Sequence, residues 1–195
     1  VNSNPNGLLL PYANMFLPFP GDSLKYLLIH HTATSNGLYT PTNEILESVI
    51  DISLDGGLGA VTEKNDTLLK DTLNWGIAAC KHANGRDWWI AVQKDTSDVI
   101  ITMLRTPNGI SNISSTHLNV PFAWGNVTQL TFSPNGEKIA YQTYIPYTDT
   151  VFLVLADFDR CSGIISNSHI VNVTDGANSF GLSFSPNCKY IYSMS

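Results

Sequence analysis

A few acidic side chains in the sequence have the residue type and spacing that acid–base catalysis needs. Asp157 and Asp159 flank Phe158, so in an extended strand both carboxyl groups point to the same face of a sheet. Paired carboxylates of this kind carry out glycoside hydrolysis. The commoner role is a solvated outer edge, whose charges discourage pairing with a further strand. The sequence favours the second role and leaves the first open.

The histidines and one acidic segment give little support for a metal site. His30 and His31 are adjacent, so in a strand their rings point to opposite faces and cannot share an ion. His82 precedes a turn, where a structural contact is favoured over acid–base work. Residues 51–56 resemble the opening of a calcium loop, but the twelfth position is Thr62 and not a bidentate carboxylate. We therefore predict no metal and no cofactor.

Nucleophilic chemistry also has little support. The three cysteines are Cys80, Cys161 and Cys188, and an odd number argues against a disulfide framework. We expect Cys80 to be a small core residue and the other two to lie at turns, too far apart for a disulfide bond. The chain has no Gly-x-Ser-x-Gly elbow, no Walker loop and no dinucleotide fingerprint. No residue is therefore predicted to be catalytic.

Aromatic side chains offer another kind of chemistry, which is stacking on sugar rings. The candidates for facing a ligand lie near predicted loops and are Trp75, Trp124, Tyr144 and Tyr147. Trp88 and Trp89 are adjacent in a predicted strand, so we expect one on each face, both buried between neighbouring sheets. Core packing is the alternative role for the four candidates as well, because large aromatic side chains dominate the burial of apolar surface.

The composition excludes several classes of protein. The chain has 195 residues, of which 43% are hydrophobic and 13% charged, with a net charge of −6. A typical soluble domain is roughly 25% charged, so disorder driven by high charge is excluded. Binding to nucleic acid is not expected, because no surplus of basic residues is present to neutralise phosphates. No uninterrupted apolar stretch reaches the roughly 18 residues of a membrane-spanning helix.

Turn chemistry and residue types together predict an all-β chain. Asn-Gly occurs at 6–7, 36–37, 84–85, 108–109 and 135–136, and Asp-Gly occurs at 55–56 and 175–176. Both dipeptides tolerate positive φ and close tight hairpins. The apolar runs between them are short, which is typical of buried strands. Residues 43–50 are the best helix candidate, but Ile50, Ile52 and Leu54 alternate with polar residues, which favours a strand.

One segment of the chain repeats. Leu-Thr-Phe-Ser-Pro-Asn-Gly-Glu-Lys-Ile at 130–139 returns as Leu-Ser-Phe-Ser-Pro-Asn-Cys-Lys-Tyr-Ile at 182–191, an offset of 52 residues. Looser copies lie at 83–88 and 20–26. A repeat of this length with about four short strands is the sequence form of a β-propeller blade. We therefore predict an all-β propeller of four-stranded antiparallel blades, with about three and a half blades present.

The predicted blades divide the chain into residues 8–73, 74–125, 126–178 and an incomplete 179–195. The third has strands at 127–132, 138–144, 150–158 and 164–173, and the second at 74–81, 87–93, 98–104 and 113–120. The first has strands at 25–32, 47–54 and 60–62, after one that precedes Pro18. Because the sequence starts without Met and ends inside a blade, we expect a longer polypeptide. The alternative is a complete four-bladed ring whose N-terminal residues fill the last sheet.

Four segments, in order along the chain, resemble a known family. They are Ser-Leu-Asp-Gly-Gly-Leu-Gly-Ala-Val at 53–61, Lys-His-Ala-Asn-Gly-Arg-Asp-Trp-Trp at 81–89, Phe-Ser-Pro-Asn-Gly at 132–136 and Phe-Asp-Arg-Cys-Ser-Gly at 158–163. The series resembles the WD-like β-propeller region of large secreted surface proteins from gliding, type IX-secreting bacteria. The second segment is the most distinctive. Cys188 departs from the pattern, because it stands where the preceding repeat has Gly136.

The resemblance implies an exported, multi-domain protein at the outer cell surface, with adhesive modules and a secretion domain outside this sequence. It carries over no catalytic residue. The bacteria that house this family O-glycosylate short Asp-Ser/Thr-apolar sequences, which occur here around Ser23, Thr67, Thr72 and Thr150. A pattern of three residues also arises by chance. The resemblance therefore makes these four hydroxyl groups candidate glycosylation sites.

Three functions follow from these observations. The leading one is a non-catalytic module that binds protein or glycan through loops on one ring face, or that spaces other domains. The second is a propeller enzyme that acts on polysaccharides or gates a peptidase, which convergent carboxylates at the central channel would support. The third is a structural component of a surface layer or filament. Fold alone does not choose among them.

Overall fold

The computed structural model describes residues 12–32, 42–120, 129–145, 150–173 and 181–193. They form an all-β chain, as predicted, and their one helical segment is a 3₁₀ turn at Asp55–Gly57. The strands are β1 (Asn14–Pro18), β2 (Lys25–Thr32), β3 (Thr42–Asp51), β4 (Ala60–Lys81), β5 (Trp88–Lys94), β6 (Val99–Thr106), β7 (Gly109–His117), β8 (Leu130–Phe132), β9 (Lys138–Ile145), β10 (Thr150–Phe158), β11 (Ile165–Val173), β12 (Leu182–Phe184) and β13 (Ile191–Ser193). Within the described part of the chain, no helix is long and apolar enough to cross a membrane.

Within each sheet every strand pairs with its neighbour along the chain, and all pairs are antiparallel. Strands β1 to β7 form a seven-stranded sheet in sequence order, β8 to β11 form a four-stranded sheet, and β12 and β13 form a hairpin. Antiparallel neighbours need only short connections, which turn-forming dipeptides can supply. The topology is therefore a meander of consecutive strands.

The long strand β4 is shared by two halves of the large sheet. Its first part, up to Leu73, pairs with β3, and its second part, from Leu73 onward, pairs with β5. Leu73 itself lies opposite Thr42 on one side and Lys94 on the other. We call β1–β3 with residues 60–73 the first unit and residues 73–81 with β5–β7 the second unit. Strands β8–β11 are the third unit, and β12–β13 are the C-terminal hairpin. The predicted strand at 60–62 is thus much too short, and the predicted boundary after residue 73 falls inside a strand, where that strand changes partner.

The predicted strand at 47–54 is also wrong in extent, because β3 ends at Asp51. The Asp51 carboxylate accepts hydrogen bonds from the N–H and the hydroxyl of Ser53, at 2.9 and 2.6 Å, and these bonds turn the backbone. Ile52 and Leu54 therefore lie exposed beyond the strand and do not alternate along it. The local hydrogen bonds of Asp51 therefore end the strand at residue 51, although the alternation of apolar residues in the sequence continues to Leu54.

Side chains on alternate faces of the sheets fill three hydrophobic cores. The core between the first and second units includes Leu27 and Ile90. The core between the second and third units includes Trp89 and Tyr141, and the core between the third unit and the C-terminal hairpin includes Leu182. Because successive residues of a strand point to opposite faces, each middle unit contributes to two cores. The units are stacked face to face in a propeller-like arrangement.

A turn with the same hydrogen bonds precedes the second strand of each unit and of the hairpin. In residues 19–25, 82–87, 133–138 and 185–190, the N–H of the first residue donates to the carbonyl of the last at 2.9 Å. Within each turn a second N–H returns to the carbonyl of the first residue, and its donors are Asp22, Gly85, Gly136 and Cys188. We call these four segments the corner turns. They coincide with the four copies of the sequence repeat, so the repeat specifies this turn.

Candidate functional site

Three of the segments that stand out in the sequence meet around Arg160, in the turn between β10 and β11. The Arg160 guanidinium donates to three backbone carbonyls: Nε to Lys81 at 2.8 Å, Nη2 to His82 at 3.3 Å and Nη1 to Asn135 at 3.0 Å. We call Arg160 and these contacts the Arg160 cluster. Because the guanidinium presents its donors in a rigid planar fork, one side chain joins the second unit to the third.

The backbone of the same turn is bonded back to the second unit. The carbonyl of Arg160 accepts a hydrogen bond of 2.8 Å from the indole N–H of Trp89, and the Cys161 carbonyl lies 3.1 Å from Nε2 of His82. The Trp89 ring lies against Gly163, where φ is +76° and an added Cβ would come within 2.5 Å of the ring. Both the backbone conformation and the tryptophan packing therefore require glycine at position 163.

A groove of about 480 Å³ lies beside the Arg160 cluster. Nζ of Lys81 lies 3.7 Å from the centre of the Trp88 ring and donates to the Arg86 carbonyl at 3.1 Å. Burial lowers the pKa of Lys81, and the nearby Asp87 opposes this effect. The described residues that line the groove include no carboxylate and no imidazole. Its charged lining consists of the Lys81 ammonium and the Arg160 guanidinium.

Asp157 and Asp159, the carboxylates considered for glycosidase chemistry, are held by separate partners, Asp157 near the end of β10 and Asp159 in the turn that follows. The Asp157 carboxylate accepts hydrogen bonds from the Lys138 ammonium and from the Asn167 amide, the latter at 2.8 Å. The Asp159 carboxylate accepts one from the Ser162 hydroxyl at 2.7 Å. The hydrogen bond from Lys138 is the largest cause of the lowered pKa of Asp157. The hydrogen bond from Ser162 is the largest cause of the lowered pKa of Asp159. Because a glycosidase acid needs a raised pKa, the geometry favours a structural role.

A buried ion pair, which the sequence pattern alone did not predict, joins β3 of the first unit to β6 of the second. The Arg105 guanidinium donates twice to the Glu47 carboxylate, with both nitrogen–oxygen distances at 2.7 Å. Arg105 is 3% exposed and Glu47 is 5% exposed, and the guanidinium carbon lies 5.0 Å from the centre of the Phe19 ring. Bidentate pairing fixes orientation as well as supplying attraction. The available signal was Arg105, the one charged residue of the apolar strand β6, together with Glu47 among the apolar residues of β3.

The adjacent histidines of β2 point to opposite faces, as predicted, and only one of them is buried. His31 is 3% exposed beside the backbone of Glu44 and Trp75, and neither ring nitrogen makes a well-formed hydrogen bond to the described residues. Burial lowers the pKa of His31 to about 4. The ring is therefore neutral at physiological pH and acts as a core residue.

In the described part of the chain, no three His, Cys, Asp or Glu side chains come together as a metal site would need. The segment that resembles a calcium loop is a turn, in which the hydrogen bonds from Ser53 lower the pKa of Asp51. His117 and Asp98 form a surface pair, with Nδ1 and Oδ1 3.0 Å apart. His82 and these carboxylates therefore serve as local structural contacts.

The three cysteines are free. Cys80 is buried, as predicted, and burial raises the pKa of its thiol to about 12, so the thiolate that a nucleophile requires does not form. Cys161 is exposed and Cys188 is half-buried, each in a turn. Cys188 has a φ of +59° in the position where Gly136 has +73°, so the substituted repeat keeps the left-handed backbone.

The residues predicted to face a ligand or to carry glycans differ in exposure. Trp75 is 6% exposed, so its indole does not present a stacking face to solvent. Trp124, Tyr147 and the side chain of Tyr144, which belongs to β9, lie outside the described residues. Ser23, Thr67 and Thr72 are exposed, and Thr150 opens β10 with its side chain outside the described residues. Three of the four hydroxyl positions therefore lie at the surface, where a modifying enzyme would need them.

The first unit presents a groove of apolar side chains on the side away from the second unit. The groove has a volume of about 500 Å³ and is lined by Phe16, Tyr26, Leu28, Ile50, Ile52 and Val61, with His30, Ser48, Lys64 and Asn65. Phe16 is 62% exposed and Val61 is 56% exposed. We call this surface the open face. Contiguous apolar surface of this kind usually marks an interaction site.

Comparison with known proteins finds distant similarity among solved structures. No family model and no curated protein matches the sequence. The chain is similar to a putative 6-phosphogluconolactonase from Bacteroides fragilis, with 11% identity and a TM-score of 0.42 over 92% of this chain and 72% of that chain. It is also similar to hydrazine synthase from Kuenenia stuttgartiensis, with 11% identity and a TM-score of 0.45 over 90% of this chain and 47% of that chain. At this identity neither activity carries over to this chain.

Proposed function

We propose that this chain is a non-catalytic β-propeller module of an exported bacterial surface protein, and that it belongs to a longer polypeptide. The three units and the C-terminal hairpin would be about three and a half four-stranded blades. The observation that carries the proposal is the recurrence of one corner turn at four places, each between strands that pack on a neighbouring unit. A repeat that specifies a turn and two packing faces is what a blade requires.

The use of the charged groups supports a non-catalytic role. Arg160 directs its donors to backbone carbonyls, and Arg105 and Glu47 neutralise each other inside a core. The Asp157 carboxyl group is held ionised by Lys138 and Asn167 of the neighbouring strands, and that of Asp159 by Ser162 in the same turn. An active site instead keeps groups whose pKa lies near the working pH and that can reach a substrate. In the described residues these groups join units and fix turns.

The surface composition supports the proposed location and role. The chain is only 13% charged, and three of the four candidate glycosylation hydroxyls are exposed. Such a surface suits a module that binds protein or glycan at the outer cell surface, or that spaces neighbouring domains there. The resemblance to secreted propeller regions points in the same direction.

Labelling of intact cells tests the location. An antibody raised against this chain is expected to stain intact cells, to gain no signal on permeabilisation and to lose its signal after protease treatment of whole cells. Staining that appears only after permeabilisation overturns the exported location. The mass of the native polypeptide is measured on the same cells. A mass above 21.3 kDa supports a longer polypeptide, and a mass of 21.3 kDa contradicts it.

A screen of polysaccharides and peptides tests the non-catalytic role. We expect no turnover above that of a heat-denatured sample. Any turnover found is then measured in Asp157→Asn and in Asp22→Asn, which changes a carboxylate of equal exposure in the first corner turn. Turnover that is lost in the first variant and kept in the second overturns the non-catalytic role, because it assigns the reaction to the Asp157 carboxylate.

A further inference from the structure

The corner turns place the faces of the three units in a common register. The first residue after the corner turn pairs across to the third strand of its unit, giving the pairs Tyr26–Ile50, Trp88–Arg105 and Ile139–Ala156. In the second and third units this pair points toward the preceding unit. We call that side of a unit its leading face and the opposite side its trailing face.

The leading faces of the second and third units are both covered. The indole N–H of Trp88 donates to the Pro18 carbonyl of the first unit at 2.8 Å, and Arg105 pairs with Glu47 of that unit. Ile139, with 2% of its surface exposed, lies in the core between the second and third units. A leading face is therefore a packing surface wherever the preceding unit is described.

The leading face of the first unit is the open face. Tyr26 and Ile50, which occupy the register of the two covered pairs, line its groove of about 500 Å³. Phe16 on the neighbouring strand is 62% exposed, which is unusual for a phenylalanine in a paired strand. The surface thus has the register and the apolar character of a packing face, while it stays open to solvent.

We propose that the open face is covered by the trailing face of one further sheet unit of the same polypeptide, packed as the first unit packs on the second. This rests on the proposed function, in which the chain is part of a longer propeller. Three successive interfaces of this kind join neighbouring segments of one chain in the described residues. The open face continues that series, and its occupant is of the same kind.

The residues of the open face define the chemistry of its occupant. In the second unit, Arg105 pairs with Glu47 of the preceding unit. The first unit has Ile50 at the position of Arg105, so the occupant should have an apolar residue at the position of Glu47. A carboxylate there would be buried without a partner, which is costly. Lys64, which lines the same groove, has no ion pair with the described residues. The occupant therefore carries acidic or hydrogen-bonding groups at its edge.

A second copy of this chain fits the open face less well. Two open faces placed against each other would bring together two rims that each carry the positive charge of Lys64. A complete sheet unit covers all four strands.

Photo-cross-linking in the complete polypeptide tests the proposal. The complete gene is expressed with the photoreactive residue p-benzoylphenylalanine in place of Phe16, a change that keeps the aromatic ring. Tyr26 replaced in the same way provides a second, independent position. The control has the photoreactive residue in place of Ile164, which is 60% exposed in a turn of the third unit. Mass spectrometry then identifies the peptide joined to each position.

We expect products from positions 16 and 26 that are joined to a peptide of the same polypeptide outside residues 1–195, and no such product from position 164. A product joined to a second copy of this chain, seen at twice the mass, overturns the proposal. Equal yields at all three positions also overturn it. Each of these two results contradicts only the proposed occupant of the open face, provided that the native mass exceeds 21.3 kDa. A native mass of 21.3 kDa would contradict the proposed function, in which the chain is part of a longer polypeptide.

Discussion

Breaking the ion pair between Glu47 and Arg105 is the most direct test of how the first two units are held together. Arg105→Met keeps a long apolar stem beside Phe19 but removes both hydrogen bonds of 2.7 Å. The Glu47 carboxylate, 5% exposed, is then left without its partner. Removing one member of a buried pair costs about 3–5 kcal/mol. We therefore expect the free energy of unfolding to fall by about 4 kcal/mol.

Urea unfolding followed by tryptophan fluorescence measures this change, because Trp75 and Trp89 are buried. With a slope of about 2.5 kcal/mol per molar urea, the midpoint should fall by about 1.5 M. Glu47→Gln should also destabilise the chain. The double variant Glu47→Leu with Arg105→Met should recover most of the loss, since replacing both members of a buried pair by apolar residues is often nearly neutral.

Lys94→Ala serves as a matched control, because Lys94 pairs with Asp71 at 2.9 Å while 43% of its side chain is exposed. This variant should lose less than about 1 kcal/mol, as exposed pairs do. If Arg105→Met loses no more than the control, the reasoning from burial is refuted. If the double variant is as unstable as Arg105→Met alone, the loss comes from packing around Arg105 and not from an unpaired charge.

Three further changes test other parts of the fold by the same unfolding measurement. The pKa of His31 is about 4 in the folded chain, below its ordinary value of 6.5, so the unfolded chain takes up the proton first as the pH falls. The free energy of unfolding should therefore decrease between pH 6.5 and pH 4, by about 2 kcal/mol at pH 5. His31→Leu should lack this part of the pH dependence, and identical pH dependence in the variant and the original chain would contradict the prediction. Gly163→Ala should cost about 3 kcal/mol, because the new Cβ meets the Trp89 ring and φ is positive. Gly85→Ala, with a similar φ and no atom within 4 Å, should cost about 1 kcal/mol, so equal losses would refute the steric argument. Cys188→Gly should gain about 1 kcal/mol by relieving a left-handed backbone, and an unchanged midpoint would show that this turn is not strained.

The features that depend on local sequence could be predicted. Strands β2 and β10 have the bounds expected for residues 25–32 and 150–158, because turn residues delimit the apolar runs on both sides. The last two corner turns follow the repeat because their bonds lie within the repeated residues. The hydroxyl of Ser133 donates to the side chain of Asn135 at 2.7 Å, and an equivalent bond of 2.7 Å recurs 52 residues later.

Contacts between distant residues could not be predicted in the same way. Glu47 and Arg105 are separated by 58 residues, and Arg160 is separated from the Lys81 carbonyl by 79. In the sequence, the distinctive segment at 81–89 indicates only a family resemblance, whereas the structure supplies a physical role for it in packing against Arg160. The length of β4 was missed because residues 62–67 are polar and show no alternation of apolar side chains.

The continuous strand β4 makes the first two units mechanically a single piece. In most stacked repeats a flexible connection allows one repeat to open while its neighbour holds. Here no loop separates the two, and Leu73 is paired on both sides of the division. A pulling force that strips β3 from the first unit would therefore be passed directly to the strand that anchors β5. Under load this part of the stack would yield as a block, after the short C-terminal hairpin had already opened.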